Sequence, residues 1–195
     1  MDSFLLCLLL VAGTSLGARD QIIVAQLSDA MAVGKGDDIR RPIPLLAIGL
    51  VCAAVTAGLM AYGATLIANL LPRRAALMLV SFALAIAAFE LAWPVRLKPM
   101  REPTQSAPAI AVVLLWRQMG DAARFAIFAF AAAATYPVTA WLGGALGGAA
   151  AVVFGWMLGL KVLTRWPLVW VRRSMAVALI IAALFIGLNA RYAVL

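Results

Sequence analysis

Long apolar runs separated by short polar segments dominate the sequence. Six of these runs approach or exceed the length of about 20 residues that a helix needs to cross a hydrocarbon layer. They cover residues 4–32, 43–71, 75–93, 109–135, 138–160 and 174–190. The first and the fourth differ from the others, because both carry polar groups near their middles. The pattern predicts an all-α integral membrane protein with six transmembrane helices.

The composition supports this class of protein. Of 195 residues, 66% are hydrophobic and 12% are charged, whereas soluble domains are roughly half apolar and about a quarter charged. The chain has no histidine, and its two cysteines, Cys7 and Cys52, lie in apolar surroundings. It therefore cannot form the usual Cys/His zinc sites, a His-based catalytic triad or a disulfide framework. We expect neither enzymatic activity nor a bound cofactor, and any metal ion must use oxygen ligands.

The first run allows a second interpretation, a secretory signal peptide. Residues 5–11 form an apolar core, and small residues follow it up to Ala18. Such a peptide needs a basic leader, but Met1, Asp2 and Ser3 include no Lys or Arg, and apolar sequence resumes at Ile22. We therefore expect this run to remain in the protein as its first span.

The net charge of +8 would suggest a nucleic-acid partner for a soluble protein, but Lys and Arg between apolar runs mark cytoplasmic loops. One set of connections carries ten basic residues, namely Lys35, Arg40, Arg41, Arg96, Lys98, Arg101, Lys161, Arg165, Arg172 and Arg173. The opposite set carries Arg73, Arg74 and Arg191. We expect a multi-pass protein in the lipid bilayer of a bacterial inner membrane, with both termini outside the cytoplasm and no nucleic-acid partner.

The two halves of the chain correspond at an offset of 95 residues. Three pairs match at this distance, namely Pro42 and Pro137, Gly49 and Gly144, and Pro72 and Pro167. The correspondence predicts a three-helix repeat over residues 1–93, a cytoplasmic linker over 94–108 and a second repeat over 109–195. Because three is an odd number, the second repeat enters the membrane from the opposite side, as in many secondary transporters.

The fourth span contains the densest polar group of the apolar runs. Arg117 and Asp121 are four residues apart, and Asp121 and Arg124 are three apart, so on a continuous helix both guanidinium groups would reach the carboxylate. Charged groups inside spans are functional candidates, although this cluster also has a simpler interpretation as mutual neutralisation. Glu90, near the end of the third span, is most simply a solvated carboxylate, with a functional role as the alternative.

The polar segments of the first and fourth spans align with each other. The first reads Ser15-Leu16-Gly17-Ala18-Arg19-Asp20-Gln21, and the second reads Gln118-Met119-Gly120-Asp121-Ala122-Ala123. They resemble the paired Glu-x-Gly-Asp-Lys-(Thr/Ser) motifs of the Gdt-type cation/proton exchangers, one motif in each three-helix repeat. The resemblance implies six helices in two inverted repeats and a divalent cation/proton antiporter that transports manganese or calcium.

In that family the paired acids form the cation site, as hard divalent ions require. At the four matching acid positions this chain has Ser15, Ala18, Gln118 and Asp121, so one carboxylate remains. Asp20 is a candidate replacement acid, at the position of the motif's Thr/Ser. So few acids, close to several arginines, give too little negative charge to favour bare calcium or manganese.

The resemblance implies a role for each motif residue. Asp121 becomes the coupling or substrate carboxylate, Gln118 and Ser15 supply oxygen ligands, and Gly17 and Gly120 allow close packing or a bend. Three arginines set the local field and shift the preference towards an anionic or zwitterionic solute: Arg19, Arg117 and Arg124. The alternative function is a transport-inactive structural or regulatory membrane subunit. A homo-oligomer is a further expectation.

The fifth span is rich in glycine. Three pairs at a spacing of four residues are Gly143 with Gly147, Gly144 with Gly148, and Gly155 with Gly159. Such pairs let helix backbones approach closely inside a membrane. We expect close helix packing along this span, with a flexible gate as the alternative.

Overall fold

In a computed structural model of the protein, residues 2–34, 40–95 and 106–192 are described. They form eight α-helices: α1 (Asp2–Thr14), α2 (Arg19–Ala30), α3 (Ile43–Leu70), α4 (Arg73–Ala92), α5 (Ala107–Met119), α6 (Ala122–Ala133), α7 (Pro137–Leu163) and α8 (Leu168–Tyr192). One isolated antiparallel bridge pairs Val33 with Arg40. The prediction of an all-α protein is confirmed for these residues. Lys35 and most of the expected linker, including Arg96, Lys98 and Arg101, lie outside them.

Four helices are long and apolar enough to cross a membrane, namely α3, α4, α7 and α8. The pair α1 and α2 passes the same test together but is bent by 62°, which makes it a fifth span if the pair is one span. The predicted fourth span consists of two shorter apolar helices, α5 and α6. The described residues thus have the helices of a multi-pass membrane protein with four to five candidate spans, where the sequence predicted six.

The predicted first helix breaks at its polar segment. Gly17 has a φ of +70°, which is a left-handed conformation that favours glycine. Just before the break, the Thr14 hydroxyl donates to the carbonyl oxygen of Leu10 at 2.8 Å. A Cβ on Gly17 would lie 3.2 Å from Cβ of Leu168, the first residue of α8. Both the backbone conformation and the close neighbour therefore require glycine here.

The predicted fourth helix also breaks at its polar segment. Gly120 follows the last residue of α5, and Asp121 directly precedes α6. The expectation that Arg117, Asp121 and Arg124 share one continuous helix is therefore wrong. Gly120 has a φ of −95°, and a Cβ there would meet no atom within 4 Å. This second break thus has no steric need for glycine.

The long helices α3 and α7 cross in an antiparallel sense. A Cβ on Gly49 would lie 2.7 Å from Cγ1 of Val152, and a Cβ on Gly148 would lie 3.6 Å from Cβ of Ala53, so positions that rise along α3 meet positions that fall along α7. Each broken pair packs against the long helix of the opposite half: α1 and α2 against α7, and α5 and α6 against α3. Because each broken pair packs against the long helix of the other half, both breaks lie beside the point where α3 and α7 cross.

The glycines of α7 allow the close packing that the sequence predicted. A Cβ on Gly147 would lie 2.6 Å from the carbonyl oxygen of Leu8 in α1, which no real side chain tolerates. Gly155 faces the backbone and side chain of Gln21 in the same way. Gly159 differs, because its φ of +67° kinks the helix. Glycine therefore lets α1 and α2 lie directly against the backbone of α7.

Candidate functional site

Residues from both breaks line one cavity of about 150 Å³. Its lining consists of Arg19 from the start of α2, Glu90 from α4, and Trp116, Arg117, Gly120 and Asp121 from the second break. Four of the predicted site residues therefore surround one space. The other predicted ligands and charges, Ser15, Asp20, Gln118 and Arg124, are buried nearby without lining this cavity.

Asp121 is the inner acid of this cavity. Its residue surface is 4% exposed, and its Oδ2 atom is buried without a hydrogen-bond partner among the described residues. The charges of four side chains act on its carboxyl group: Asp20, Glu90, Arg124 and Arg172. Within the described parts of the chain, neither Arg117 nor Arg124 forms an ion pair with Asp121. The direct contacts predicted for one continuous helix are therefore not made, because the helix is interrupted between Arg117 and Asp121.

Arg124 is buried at the α3–α7 crossing, where its residue surface is 1% exposed. Its Nε atom donates to the Thr56 hydroxyl at 3.0 Å. The single proton of that hydroxyl has two acceptors within reach, the carbonyl oxygen of Cys52 at 2.8 Å and Oε1 of Gln118 at 3.0 Å. Its guanidinium lies over the bare backbone of Gly148, where a Cβ would sit 3.5 Å from Nη1. Thr56 is near the middle of the 28-residue helix α3, about 20 Å from either end at 1.5 Å per residue.

Gln21 occupies the matching place in the first half, four residues after Gly17 as Arg124 is four after Gly120. Its Nε2 atom donates to the carbonyl oxygen of Ala151 at 3.0 Å, and its Oε1 atom accepts from the Gly17 amide at 2.7 Å. Ala151 is the residue that corresponds to Thr56 at the repeat offset of 95, so Gln21 and Arg124 contact matching positions of α7 and α3. Gln21 was not among the predicted site residues, although its alignment with Arg124 was the signal for it.

Glu90 and Arg172 form a buried ion pair between α4 and α8. Their charged atoms lie 3.2 Å apart, and their side chains are 14% and 6% exposed. The same arginine donates to the carbonyl oxygen of Glu90 at 3.2 Å, and Glu90 Oε2 accepts from the Ala122 amide at 3.4 Å. The interpretation of Glu90 as a solvated carboxylate and of Arg172 as a loop cation is therefore wrong.

The pair also links the two breaks. A Cβ on Gly17 would lie 3.5 Å from Cδ of Arg172, so this side chain passes beside the first break on its way to Glu90. Glu90 then reaches the first amide of α6, which begins at the second break. A carboxylate at the start of a helix also interacts favourably with the helix dipole. The ion pair thus holds both breaks at one end of the α4–α8 contact.

Another acid, Asp29 in the last turn of α2, holds the kink of α7. Its Oδ2 atom accepts from the Leu160 amide at 2.7 Å, and its Oδ1 atom pairs with Arg41 at 3.1 Å. The residue before the donor Leu160 is Gly159, at which the helix is kinked. This side chain is 36% exposed, so the contact lies near the surface and away from the cavity.

The chemistry of the buried polar atoms is unlike that of a divalent-cation site. In the described residues no three acidic or cysteine side chains come together in a group that could hold a metal ion. Hard divalent cations need six or more oxygen ligands, several of them anionic.

Comparisons of the chain with known protein families, with curated proteins and with solved structures found no match.

Proposed function

We propose that this protein is a multi-pass membrane transporter that binds a small solute in the cavity between its two broken helices. The observation that carries the proposal is that one cavity receives residues from both breaks, at Arg19 and at Asp121. Secondary transporters bind their substrates near the bilayer midplane, where discontinuous helices meet at the interface of two repeats. Irregular backbone inside a membrane is tolerated where it lines such a cavity.

The directions of the helices support six passes in two inverted repeats, residues 1–93 and 109–195. Contacts of Cys52 with Ala111 and of Thr56 with Gln118 run in the same order along α3 and α5, so these helices are parallel. Contacts along α1 and α2 run parallel to α7 in the same way. With α3 and α7 antiparallel, each broken pair then counts as one pass, and the passes alternate in direction.

The resemblance to the Gdt-type exchangers supplies the working class, a proton-coupled antiporter. Manganese or calcium is the cargo that the resemblance implies, while the few acids of the site do not favour a bare divalent cation. In this proposal Asp121 is the coupling carboxylate, and Ser15, Gln118 and Asp20 are polar groups of the transport path. The protein lies in a bacterial inner membrane, with both termini outside the cytoplasm. The described basic residues of the cytoplasmic face are Arg40, Arg41, Lys161, Arg165 and Arg173.

A second candidate function is a transport-inactive membrane subunit. The observation that favours it is the acid content of the site, since the three acids near the cavity, Asp20, Glu90 and Asp121, form no metal-holding group. A protein that had lost its cargo could keep the fold as a structural or regulatory partner of another membrane protein.

Flux measurements on purified protein in liposomes separate the two. Vesicles with an imposed pH gradient are tested for uptake of manganese, calcium, acetate and nitrate, each in labelled form. A transporter moves at least one of these, and Asp121→Asn abolishes the flux while the protein still inserts and elutes normally. Asp29→Asn is the matched control, because Asp29 lies outside the cavity. Full flux in Asp121→Asn contradicts the mechanism, and no flux with a co-purifying partner supports the subunit.

A further inference from the structure

We propose that a groove between the end of α4 and the start of α8 binds an anionic phospholipid from the surrounding bilayer. The groove is lined by residues 91–95, by Leu168, Val169, Arg172 and Arg173, and by Gly17 and Ile22 from the first broken pair. It shares no lining residue with the cavity of the proposed transport function, so lipid binding here does not depend on transport. It requires a membrane location, which the four long apolar helices indicate.

Most of the surface of the groove is apolar. Nine of its eleven lining residues carry apolar side chains or are glycine, and only Arg172 and Arg173 are charged. Its volume of about 210 Å³ equals that of roughly seven water molecules at about 30 Å³ each. This space accommodates the upper part of one acyl chain, and the rest of the lipid stays in the bilayer. The groove thus fits one end of a lipid molecule.

The groove lies at the level where phospholipid headgroups begin. Trp93 directly follows the last residue of α4, and Trp166 and Trp170 flank the start of α8. All three residues are at least half exposed, and exposed tryptophans at the ends of spans mark the interface between membrane and water. Arg173 is five residues after the start of α8, about 7.5 Å along the helix. A long side chain this close to the helix end extends its charge to the level of the lipid phosphates.

Arg173 supplies the free positive charge of the groove. Arg172 pairs with Glu90 at 3.2 Å, whereas Arg173 forms no ion pair or hydrogen bond with the described residues. Its guanidinium carbon lies 6.0 Å from the centre of the Trp170 ring, a cation–π contact that leaves the N–H donors available to a phosphate. No acidic side chain lines the groove in the described part of the chain. These charges favour an anionic headgroup over a zwitterionic one.

A second groove, between α3 and α7, provides an internal comparison. Its volume of about 360 Å³ is larger, and its described lining has no charged side chain. Acyl chains alone would therefore favour the α3–α7 groove, because it offers more apolar space. Basic pockets between membrane helices bind anionic headgroups, and only the α4–α8 groove combines an apolar wall with a free guanidinium.

Lipid binding is measured on the purified full-length protein in detergent micelles by native mass spectrometry. The protein is titrated with phosphatidylglycerol, which is anionic, and with phosphatidylcholine, which is zwitterionic and has the same acyl chains. A basic residue near an anionic lipid surface contributes about 1 kcal/mol, which corresponds to about fivefold in a dissociation constant. We therefore expect the first phosphatidylglycerol to bind about fivefold more tightly than the first phosphatidylcholine. Glycerol 3-phosphate, which has the phosphate but no acyl chain, should not compete.

Two substitutions assign the binding to the groove. Arg173→Gln should weaken phosphatidylglycerol binding about fivefold and leave phosphatidylcholine binding unchanged. Arg191→Gln is its matched control, because Arg191 is exposed in the last turn of the same helix. Ala92→Phe fills the groove from an exposed position and should weaken the binding of both lipids several-fold. Val138→Phe, in the α3–α7 groove, is the control for added bulk and should leave the preference for phosphatidylglycerol intact.

Equal dissociation constants for the two phospholipids would overturn the proposal. Equal losses in Arg173→Gln and Arg191→Gln would overturn it too, because the lipid would then respond to the overall charge of the protein. Competition by glycerol 3-phosphate would identify a free phosphate as the ligand, and unchanged lipid binding in Ala92→Phe would place the lipid outside the groove, so either result contradicts the proposal. None of these measurements involves flux, so the lipid site and the transport function can fail separately.

Discussion

The two helix breaks occupy matching positions in the two halves, but their polar groups are in different states. At the first break both polar atoms of the Gln21 side-chain amide form hydrogen bonds, with Ala151 and with Gly17. The Asp20 carboxylate accepts from the backbone N–H of Gln21 at 2.8 Å. At the second break Gln118, Asp121 and Arg124 each have a buried polar atom without a partner among the described residues. The first break is closed by its own hydrogen bonds, apart from the Ser15 hydroxyl.

This difference shows how a repeat protein can separate structure from chemistry. An internal hydrogen bond satisfies a buried polar group permanently, whereas an unsatisfied group is ready for a ligand and costs stability until one binds. The first break, fully bonded around Gln21, fits a structural joint between α1 and α2. The second break supplies most of the lining of the cavity, and that cavity is where we propose that the solute binds. Substitutions that affect one break and spare the other test this distinction.

The largest expected effect comes from the ion pair that joins the breaks. Arg172→Met leaves the buried carboxylate of Glu90 without its partner, and loss of one member of a buried pair typically costs about 3–5 kcal/mol. The free energy of unfolding, measured by denaturant titration in micelles, should fall by that amount. The double variant Glu90→Gln with Arg172→Met should recover much of it, because no buried charge is then left alone. An unchanged stability in Arg172→Met would show that the two breaks are held independently.

The two amide side chains should differ next. Gln21→Leu removes two hydrogen bonds and leaves the buried Gly17 amide without its acceptor, which should lower the free energy of unfolding by about 1–3 kcal/mol. Gln118→Leu removes an Nε2 atom that has no partner within the described structure. It also removes the Oε1 atom near the Thr56 hydroxyl, but that hydroxyl can donate to the Cys52 carbonyl oxygen instead. The same titration should therefore detect less than about 1 kcal/mol for Gln118→Leu. Equal losses of stability would contradict the conclusion that polar groups are satisfied at the first break and unsatisfied at the second.

The two break glycines provide a sharper comparison of backbones. Gly17→Ala places a side chain at φ +70°, which costs about 1–2 kcal/mol, and brings Cβ to 3.2 Å from Leu168. Gly120→Ala meets no atom within 4 Å at φ −95°, so its stability should stay within about 0.5 kcal/mol of the parent. Thermal unfolding of the two single variants measures the difference. A larger loss for Gly120→Ala would show that the second break depends on glycine after all.

The smallest effect is expected at the kink of α7. Asp29→Asn removes the charge that pairs with Arg41, but both side chains are partly exposed, at 36% and 18%, and such pairs contribute about 0–1 kcal/mol. The asparagine oxygen can still accept from the Leu160 amide. Unfolding in low and high salt measures the contribution, which should shrink as salt screens the pair. A loss as large as that of Arg172→Met would place Asp29 in the core of the fold.

Much of the architecture follows from local features of the sequence. The apolar runs predicted the long helices α3, α4, α7 and α8. Each run is long enough to cross a membrane, and a helix pairs its own backbone N–H and C=O groups there. The glycine spacing in α7 predicted close packing, and a Cβ on Gly147 would indeed collide with α1. The polar segments around Gly17 and Gly120 predicted where buried polar side chains concentrate, although as parts of continuous helices.

The breaks themselves were not predictable from periodicity, because apolar residues continue on both sides of Asp121 and no proline interrupts the run. The helical spacing of Arg117, Asp121 and Arg124 then suggested contacts that the break prevents. Glu90 and Arg172 were misplaced for a related reason. Each lies near a helix end, where a charged residue is ordinarily solvated, and only the packing of α4 on α8 buries both.

The sequence by itself determined that this is a helical protein of membrane composition, that its halves correspond at an offset of 95 residues, and that polar groups concentrate in two matching segments. These properties depend on composition and on neighbours along the chain. Tertiary structure decided which polar groups find partners. Gln21 contacts Ala151, Arg124 contacts Thr56 and Arg172 contacts Glu90. The members of each pair are far apart along the chain, and only the packing of their helices brings them together. The free donors of the second break are the result of that packing.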